Sequence, residues 1–171
     1  AVESSVPDIA RAEDLGCLRL TRAELNSILF NTSGAGLAVA GTSGKSTVTG
    51  MLGWILHHAG REPTIMNGAV MKNFVSEDRP FASAVVGDAD LYVSEVDESD
   101  GSIAQYIPAV GILLNVSLDH KSMDELRQLF GDFLEASARG VVNADDEEAF
   151  RLVAHANAPL TFGRVQNLPI I

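Results

Sequence analysis

A glycine-rich turn that carries one lysine and several hydroxyl groups is the segment best suited to chemistry. It directly follows the apolar run 37–40 and opens a stretch of helical periodicity. Glycine lets several backbone N–H groups converge on one anion, and a helix N-terminus adds about half a positive charge. This context predicts a phosphate-binding loop that holds a nucleotide through Gly41, Thr42, Ser43, Gly44, Lys45, Ser46 and Thr47.

The side chains of this loop suit different parts of a nucleotide. The Lys45 ammonium would reach the β- and γ-phosphates, and the hydroxyl of either Ser46 or Thr47 would meet Mg²⁺. The strict P-loop pattern has glycine where this chain has Val39, so the loop is a shortened variant anchored at Gly41. A plain strand-to-helix turn is the alternative, but the strand before the turn and the helix after it favour nucleotide binding.

A cluster of carboxylates lies at and beyond the end of the predicted strand 91–96. Carboxylates so close together repel one another, so they either face water or coordinate a cation. Glu95 still belongs to the alternation of the strand and projects at a fixed angle near the phosphate loop, which favours a metal-binding role. For the residues after it, a solvated loop is an equally good interpretation, and the candidates for substrate contact there are Asp97, Glu98, Ser99 and Asp100.

The next predicted strand also ends in polar groups. The unbroken apolar run 110–114 is typical of a strand covered on both faces, and it leads to Asn115, a candidate contact for the nucleotide. Asp119 and His120 follow at the same edge. A neutral imidazole beside carboxylates can complete a Mg²⁺ or Mn²⁺ shell, and a polar helix-capping role is the alternative for His120.

Short β-rich runs alternate with helical stretches from residue 37 onward. Strands are predicted at 37–40, 64–66, 84–86, 91–96, 110–114, 141–142 and 160–162, and helices at 46–58, 123–138 and 147–156. Gly87 and Asp88 predict a β-hairpin between 84–86 and 91–96. The alternation predicts an α/β fold, a doubly wound and mostly parallel sheet like that of P-loop NTPases, in which ligands bind beyond the carboxyl ends of the strands.

A boundary is expected near residue 33. Residues 1–32 are expected to be the end of a preceding domain plus a linker, because helical segments there lead into the flexible run 31–36. Residues 33–171 would then form the nucleotide-binding domain, and both ends of the chain look cut. The helix after the phosphate loop should pack on the sheet through Val48, Met51, Leu52, Ile55 and Leu56.

Composition excludes several classes of protein. The 171 residues contain 12 Lys+Arg and 23 Asp+Glu, and the net charge of −11 opposes broad binding to nucleic acid or anionic membranes. No apolar run approaches the roughly 20 residues that span a bilayer. The only cysteine, Cys17, excludes an internal disulfide and is expected in or near a core. These features fit a folded, acidic protein of the cytoplasm and leave its oligomeric state open.

Three strings in a fixed order resemble the central ATP-binding domain of the Mur ligase family. They are Gly-Thr-Ser-Gly-Lys-Ser-Thr at 41–47, Ser-Glu-Val-Asp-Glu-Ser-Asp-Gly-Ser at 94–102 and Leu-Asn-Val-Ser-Leu-Asp-His at 114–120. The acidic string looks like the branch that joins L-alanine to UDP-N-acetylmuramate, which includes the related murein-tripeptide recycling ligases. The string Asn-Ala-Asp-Asp at 143–146 is similar to a further family motif, and the segment from residue 4 onward is similar to the end of the family's UDP-binding domain.

The resemblance implies an ATP-dependent ligase of peptidoglycan precursor synthesis or recycling. ATP would phosphorylate the carboxylate of a UDP-N-acetylmuramate-type substrate, and the amine of L-alanine, another amino acid or a peptide would attack the acyl phosphate. Lys45 would steady the phosphates, Ser46 or Thr47 would hold one Mg²⁺ with Glu95, and His120 would hold a second ion. The family's adenine-contacting motif and amino-acid-binding domain would lie beyond Ile171, so the chain alone is expected to be catalytically incomplete.

Two other functions stay open from the residues alone. A kinase or NTPase of the P-loop class could move phosphate to water or to a hydroxyl of another small molecule. A nucleotide-binding fragment could do no chemistry at all.

Overall fold

The structure, a computed structural model, describes residues 6–119 and 121–164. Helices and strands alternate along most of this range. The helices are α1 (Pro7–Asp14), α2 (Arg22–Asn31), α3 (Lys45–His58), α4 (Met123–Ala136) and α5 (Glu147–Arg151). The strands are β1 (Ala35–Ala40), β2 (Pro63–Met66), β3 (Ala84–Val85), β4 (Asp88–Glu95), β5 (Val110–Leu113), β6 (Gly140–Asn143) and β7 (Leu160–Phe162). Three 3₁₀ turns cover Lys72–Phe74, Ser102–Gln105 and Leu152–His155.

The strands of the described chain form one sheet in the order β3-β2-β4-β1-β5-β6-β7. Every neighbouring pair is parallel except β2 with β3. The predicted α/β fold with a doubly wound, mostly parallel sheet is therefore confirmed. Because β4, β1 and β5 are neighbours, their carboxyl ends lie side by side at one edge of the sheet.

The predicted β-hairpin at Gly87 and Asp88 is wrong. Strand β2 lies between β3 and β4, so the two strands expected to pair with each other both pair with β2 instead. Their connection crosses the start of β2, where the Asp88 N–H donates to the Glu62 carbonyl (2.6 Å) and the Gly87 N–H donates to Thr64 Oγ1 (3.1 Å). A Cβ at position 87 would collide with the Glu62 carbonyl, so this glycine serves a close chain crossing and not a two-residue turn.

Both faces of the sheet bury apolar side chains, as expected for helices packed on either side. On one face, α2, α4 and the 102–105 turn enclose a cluster that includes Phe30, Phe130 and Leu134. On the other face, α3 packs over β1, β2 and β4, above Val39 and Ile65. These two layers fix the strand ends that carry the candidate site.

Helix α3 rests on the sheet through a narrower face than predicted. Its close approach at Gly53 would place an added Cβ 2.5 Å from the Ile65 side chain. Met51 and Ile55 are each 58% exposed, so their predicted packing on the sheet is wrong. The small residue at 53 faces the sheet, and positions two residues to either side of it therefore turn toward solvent. The predicted residues that do pack on the apolar clusters are Val48, Leu52 and Leu56.

Helix α2 packs on the same sheet although it precedes residue 33. Phe30 is buried there and makes edge contacts with the rings of Tyr92 and Tyr106, at centroid distances of 5.6 Å and 5.1 Å. The division into 1–32 and 33–171 stays a prediction. Cys17 is exposed, so its expected burial is wrong. Among the described residues, no helix combines the length and the apolar character needed to cross a membrane.

Candidate nucleotide-binding site

The glycine-rich loop lies between two polar strand ends, as predicted. It leaves β1, whose Val39 is in register with Glu95 of β4 on one side and with Ile112 of β5 on the other. The loop is therefore bordered by the acidic residues that follow β4 and by Asn115, which follows β5. The Val96 and Leu114 N–H groups donate to the Val39 and Ala40 carbonyls, both at 3.0 Å, and extend this alignment to the base of the loop.

The loop backbone has the conformation that its glycines allow. Gly41 has φ +134° and Gly44, the residue that precedes α3, has φ +84°, both in the region that side chains other than glycine rarely adopt. The first intrahelical bond runs from the Val48 N–H to the Gly44 carbonyl (3.0 Å). Helix geometry therefore leaves the N–H groups of residues 45–47 without an intrahelical acceptor and aligned at a positive helix end. This arrangement suits an anion such as a phosphate chain.

The Asn115 side chain fixes the loop through hydrogen bonds to both the N–H and the carbonyl of Ser43. Its Oδ1 accepts from the Ser43 N–H (2.9 Å), and its Nδ2 donates to the Ser43 carbonyl (2.9 Å). Thr42 is held in the same way, because its N–H donates to the Asn115 carbonyl (3.2 Å) and its Oγ1 accepts from the Ser117 N–H (2.9 Å). The Asn115 amide thus makes its hydrogen bonds with the loop, and a direct contact to nucleotide stays a prediction.

A second layer of polar residues holds the segment that carries Asn115. Asn143 Nδ2 donates to the Leu114 carbonyl (2.9 Å), and Asp146 Oδ1 accepts from the Val116 N–H (3.3 Å) while it caps α5 through the Ala149 N–H (2.8 Å). The Asn-Ala-Asp-Asp string therefore acts on the loop through Asn115. The sequence alone indicated this string only through its resemblance to a family motif.

Lys45 turns back over the loop that precedes it. Its Nζ donates to the Gly41 carbonyl (2.8 Å) and to Glu98 Oε2 (2.8 Å). Glu98 is only 5% exposed, so the solvated interpretation is wrong for this residue. The neighbouring candidates Asp97, Ser99 and Asp100 are exposed. Any role of these four residues in substrate contact stays a prediction.

Two buried oxygens at the carboxyl ends of β2 and β4 have no hydrogen-bond partner within the described structure. One is Oε2 of Glu95, and the other is Oδ1 of Asn67, whose Nδ2 donates to the Ser46 carbonyl (3.0 Å). Gly68, the residue after Asn67, lies against the Glu95 side chain, because an added Cβ there would collide with Glu95 Oε1. Buried acceptors left without a donor are costly, and a cation with oxygen ligands would satisfy them. Carboxylate, amide and hydroxyl oxygens, such as those of Glu95, Asn67, Ser46 and Thr47, are the ligands that a hard cation such as Mg²⁺ prefers.

Asn67 is a residue that sequence analysis missed. It follows β2 directly, and β2 neighbours β4, so Asn67 lies at the same carboxyl edge as Glu95. The rule that ligands bind beyond parallel strand ends would have included it. The short strand 64–66 was predicted, but its place next to β4 could not be read from the sequence.

His120 lies outside the described residues, so its metal-binding role stays a prediction. The alternative role as a helix cap is filled by Ser122, which accepts from the Glu125 N–H (3.3 Å) and forms a capping box with the side chain of Glu125. In the described part of the chain, no group of three or more His, Cys, Asp and Glu side chains could hold a metal by itself. Ligands for a cation there would include hydroxyl and amide oxygens.

A cavity of about 170 Å³ adjoins Glu95 on the side of helix α2. Its lining includes Arg22, Asp100 and the Tyr106 ring, while Asn26 closes its floor by donating to the Tyr106 hydroxyl (2.7 Å). Burial raises the pKa of Tyr106, and burial also raises the pKa of neighbouring Tyr92. Both phenols therefore stay protonated and act as neutral hydrogen-bonding groups next to the site.

Replacing Asn115 with alanine is expected to weaken nucleotide binding about tenfold, because the loop loses the three hydrogen bonds between the Asn115 side chain and Ser43. Calorimetric titration with Mg·ATP would measure the change. Asn157→Ala is a matched control, since its Nδ2 donates to the carbonyls of Glu135 and Ser137, away from the loop. Equal affinities for Asn115→Ala and the parent protein would show that Asn115 does not support the loop.

Comparison with known proteins decides the family. The sequence profile described as the Mur ligase middle domain matches residues 39–167, which include the loop, the acidic strand end and the segment after β5. This chain belongs to the Mur ligase family. The matched range also includes the Asn-Ala-Asp-Asp string that braces Asn115.

Relatives of this Mur ligase domain share one name. The UDP-N-acetylmuramate--L-alanine ligase of Streptomyces avermitilis is 36% identical over 165 residues, which cover 92% of this chain and 34% of that protein. The protein of the same name from a Nostoc species is 32% identical, and the alignment covers 92% of this chain and 31% of the Nostoc protein. The chain thus spans about a third of the curated relatives it matches.

Solved structures share the fold of this Mur ligase domain. The UDP-N-acetylmuramate-alanine ligase of Thermotoga maritima superimposes with a TM-score of 0.78 at 26% identity, covering 98% of this chain and 37% of that one. A murein peptide ligase from Psychrobacter arcticus has a TM-score of 0.71 at 24% identity and covers 95% of this chain and 38% of its own. The similarity to the Psychrobacter arcticus protein shows a shared fold.

Proposed function

We propose that this chain is the ATP-binding part of a ligase that joins UDP-N-acetylmuramate, through its carboxylate, to an amino acid, most simply L-alanine. Family membership and the name that the relatives share support this substrate pair. A cytoplasmic location belongs to the same proposal, because the reaction consumes ATP. The kinase or NTPase alternative and the fragment without chemistry have no specific observation in their favour.

The observation that carries the proposal is the position of Lys45 and Glu95 at adjoining strand ends. Lys45 lies over the loop with its ammonium against the Gly41 carbonyl, and Glu95 presents a buried, unpartnered oxygen from the neighbouring strand. A transferred phosphoryl group requires positive charge and fixed donors around its oxygens more than it requires a protein nucleophile. This edge of the sheet supplies both.

The reaction has two steps. A carboxylate oxygen of the acceptor attacks the γ-phosphorus of ATP, the bond to the bridging oxygen breaks, and ADP leaves with an acyl phosphate remaining. The amine of the amino acid then attacks the acyl carbon, phosphate leaves, and the nitrogen loses a proton to give the amide. In the first step, Lys45 and the N–H groups of residues 45–47 would stabilise the charge on the phosphate oxygens.

Mg²⁺ is part of the proposal, with Glu95 and the hydroxyl of Ser46 or Thr47 as ligands and Asn67 beside them. When bound, the ion would neutralise charge on the phosphates. His120 is proposed as the ligand of a second ion. The unpartnered oxygens of Glu95 and Asn67 support the proposed site of the first ion.

Trapping of the acyl phosphate tests the function. The protein that carries this chain is incubated with Mg·ATP, UDP-N-acetylmuramate and hydroxylamine, and we expect a hydroxamate of the muramyl carboxylate with one ADP formed for each. L-alanine should suppress the hydroxamate in favour of the amide. ADP formation without any trapped product would instead indicate an NTPase.

Replacing Glu95 with glutamine is expected to raise the Mg²⁺ concentration needed for half-maximal ATP binding by about tenfold, because the ion loses a charged ligand. Titration of Mg²⁺ at fixed ATP would measure it. Asp88→Asn removes an acid from the opposite end of the same strand and should leave the Mg²⁺ requirement unchanged. An unaltered requirement in Glu95→Gln would remove Glu95 from the metal site.

A further inference from the structure

A shielded ion pair connects the phosphate loop with the acidic loop after β4. Lys45 Nζ and Glu98 Oε2 are 2.8 Å apart, and the two side chains are 17% and 6% exposed. Charges so far removed from water interact more strongly than those of a surface pair, and breaking one leaves the other without a partner. The contact is therefore a built feature of the loop and not a solvated charge.

The backbone explains why Glu98 turns inward while its neighbours face solvent. The Ser99 N–H donates to Asp97 Oδ1 (2.8 Å), and the Ile103 N–H donates to the Asp97 carbonyl (3.2 Å). The Ser102 N–H donates to Asp100 Oδ1 (2.9 Å). These bonds tighten the segment 97–103 at the end of β4 and aim position 98 at the phosphate loop.

The ion pair reduces the hydrogen-bond donors and the positive charge of Lys45 that are available to a phosphate. An ammonium has three N–H donors, and two of them are directed at the Gly41 carbonyl and at Glu98. The Glu98 carboxylate also offsets the charge of the ammonium, which lowers the attraction for a polyanion. The phosphate nearest to Nζ would experience this effect most strongly, and in a P-loop the lysine reaches the β- and γ-phosphates.

We propose that Glu98 is a positioning residue that sets the affinity of the phosphate loop for the terminal phosphate. It holds Lys45 against Gly41, and its carboxylate competes with the γ-phosphate for the Lys45 ammonium. The proposal rests on the proposed ATP-binding function. It assigns to Glu98 a role in distinguishing a nucleoside triphosphate from a diphosphate, separate from metal binding.

The test measures binding of Mg·ATP, as a non-hydrolysable analogue, and of Mg·ADP by calorimetry. Glu98→Gln keeps the size and an acceptor oxygen but removes the charge. We expect it to bind the triphosphate about tenfold more tightly and to change diphosphate affinity by less than about threefold. Glu77→Gln removes the same charge from an exposed residue and should change neither affinity. Urea unfolding would verify that each variant is folded.

Glu98→Asp provides a second variant if the glutamine variant does not fold. It keeps the charge but shortens the side chain, so triphosphate affinity should lie between those of the parent and the tenfold gain. Triphosphate affinity that stays unchanged or falls in every variant that folds would overturn the proposal, as would equal gains for the two nucleotides. Failure of the parent chain to bind Mg·ATP at all would instead contradict the proposed function.

Discussion

Replacement of Lys45 with alanine is expected to weaken Mg·ATP binding by about 100-fold, because charge-assisted hydrogen bonds to phosphate oxygens contribute about 3 kcal/mol. The loss should be smaller for ADP, since the lysine would reach the γ-phosphate as well as the β-phosphate. Calorimetric titration of both nucleotides would measure the two effects. Lys72→Ala, at an exposed position in the turn Lys72–Phe74, is the matched control and should bind as the parent does.

The same variant also tests the ion pair with Glu98. Without Lys45, a carboxylate that is 6% exposed would have lost the partner 2.8 Å away, which should cost about 2 kcal/mol of unfolding free energy. The double variant Lys45→Ala and Glu98→Ala should recover much of that stability but should still bind Mg·ATP far more weakly than the parent, because the ammonium is absent. If the single variant binds Mg·ATP as tightly as the parent, residues 41–47 are not a phosphate loop.

Replacement of Gly41 with alanine is expected to lower stability by about 3 kcal/mol and ATP affinity by about 30-fold. Its φ of +134° is strained for any residue with a Cβ, and that Cβ would lie 3.1 Å from the Asn115 N and the Leu114 Cβ. The loop would have to move away from β5, and the Gly41 carbonyl would no longer meet Lys45 Nζ. Urea unfolding and nucleotide titration would measure the two losses.

Gly60→Ala separates backbone strain from crowding. Gly60 also has a positive φ, +70°, but an added Cβ would meet no atom within 4 Å. We expect about 1 kcal/mol of destabilisation there and unchanged ATP affinity. Equal behaviour of the two alanine variants in both assays would show that the contact between the loop and the segment after β5 is unimportant.

Local sequence was sufficient to locate most of the strands and the glycine-rich loop between β1 and α3. Period-two alternation and apolar runs predicted the strands that lead to Gly41, to Glu95 and to Asn115, and the rule for parallel sheets predicted that their ends share one edge. The structure confirms that arrangement through the register of β1 with β4 and β5. It also confirms the helix that begins at Lys45, because glycine before a hydroxyl-rich segment is a strong local signal.

Contacts between distant segments were decided by the tertiary structure. A two-residue turn at Gly87 and Asp88 looks the same in sequence whether the strands around it pair or receive a third strand between them, and β2 occupies that place. In the same way, the three acids that follow β4 look alike in sequence, yet Glu98 is buried against Lys45 while Asp97 and Asp100 are exposed.

The sequence by itself therefore determined where the strands and helices form and that Gly41, Glu95 and Asn115 follow or end strands that share an edge, because those features depend on local periodicity and glycine. Strand order, the face that α3 presents, and the partners of Lys45, Asn67 and Asn115 depend on packing between segments far apart in the chain. This packing depends on how closely helices and strands can approach each other where small residues lie between them. A local sequence pattern does not contain that information.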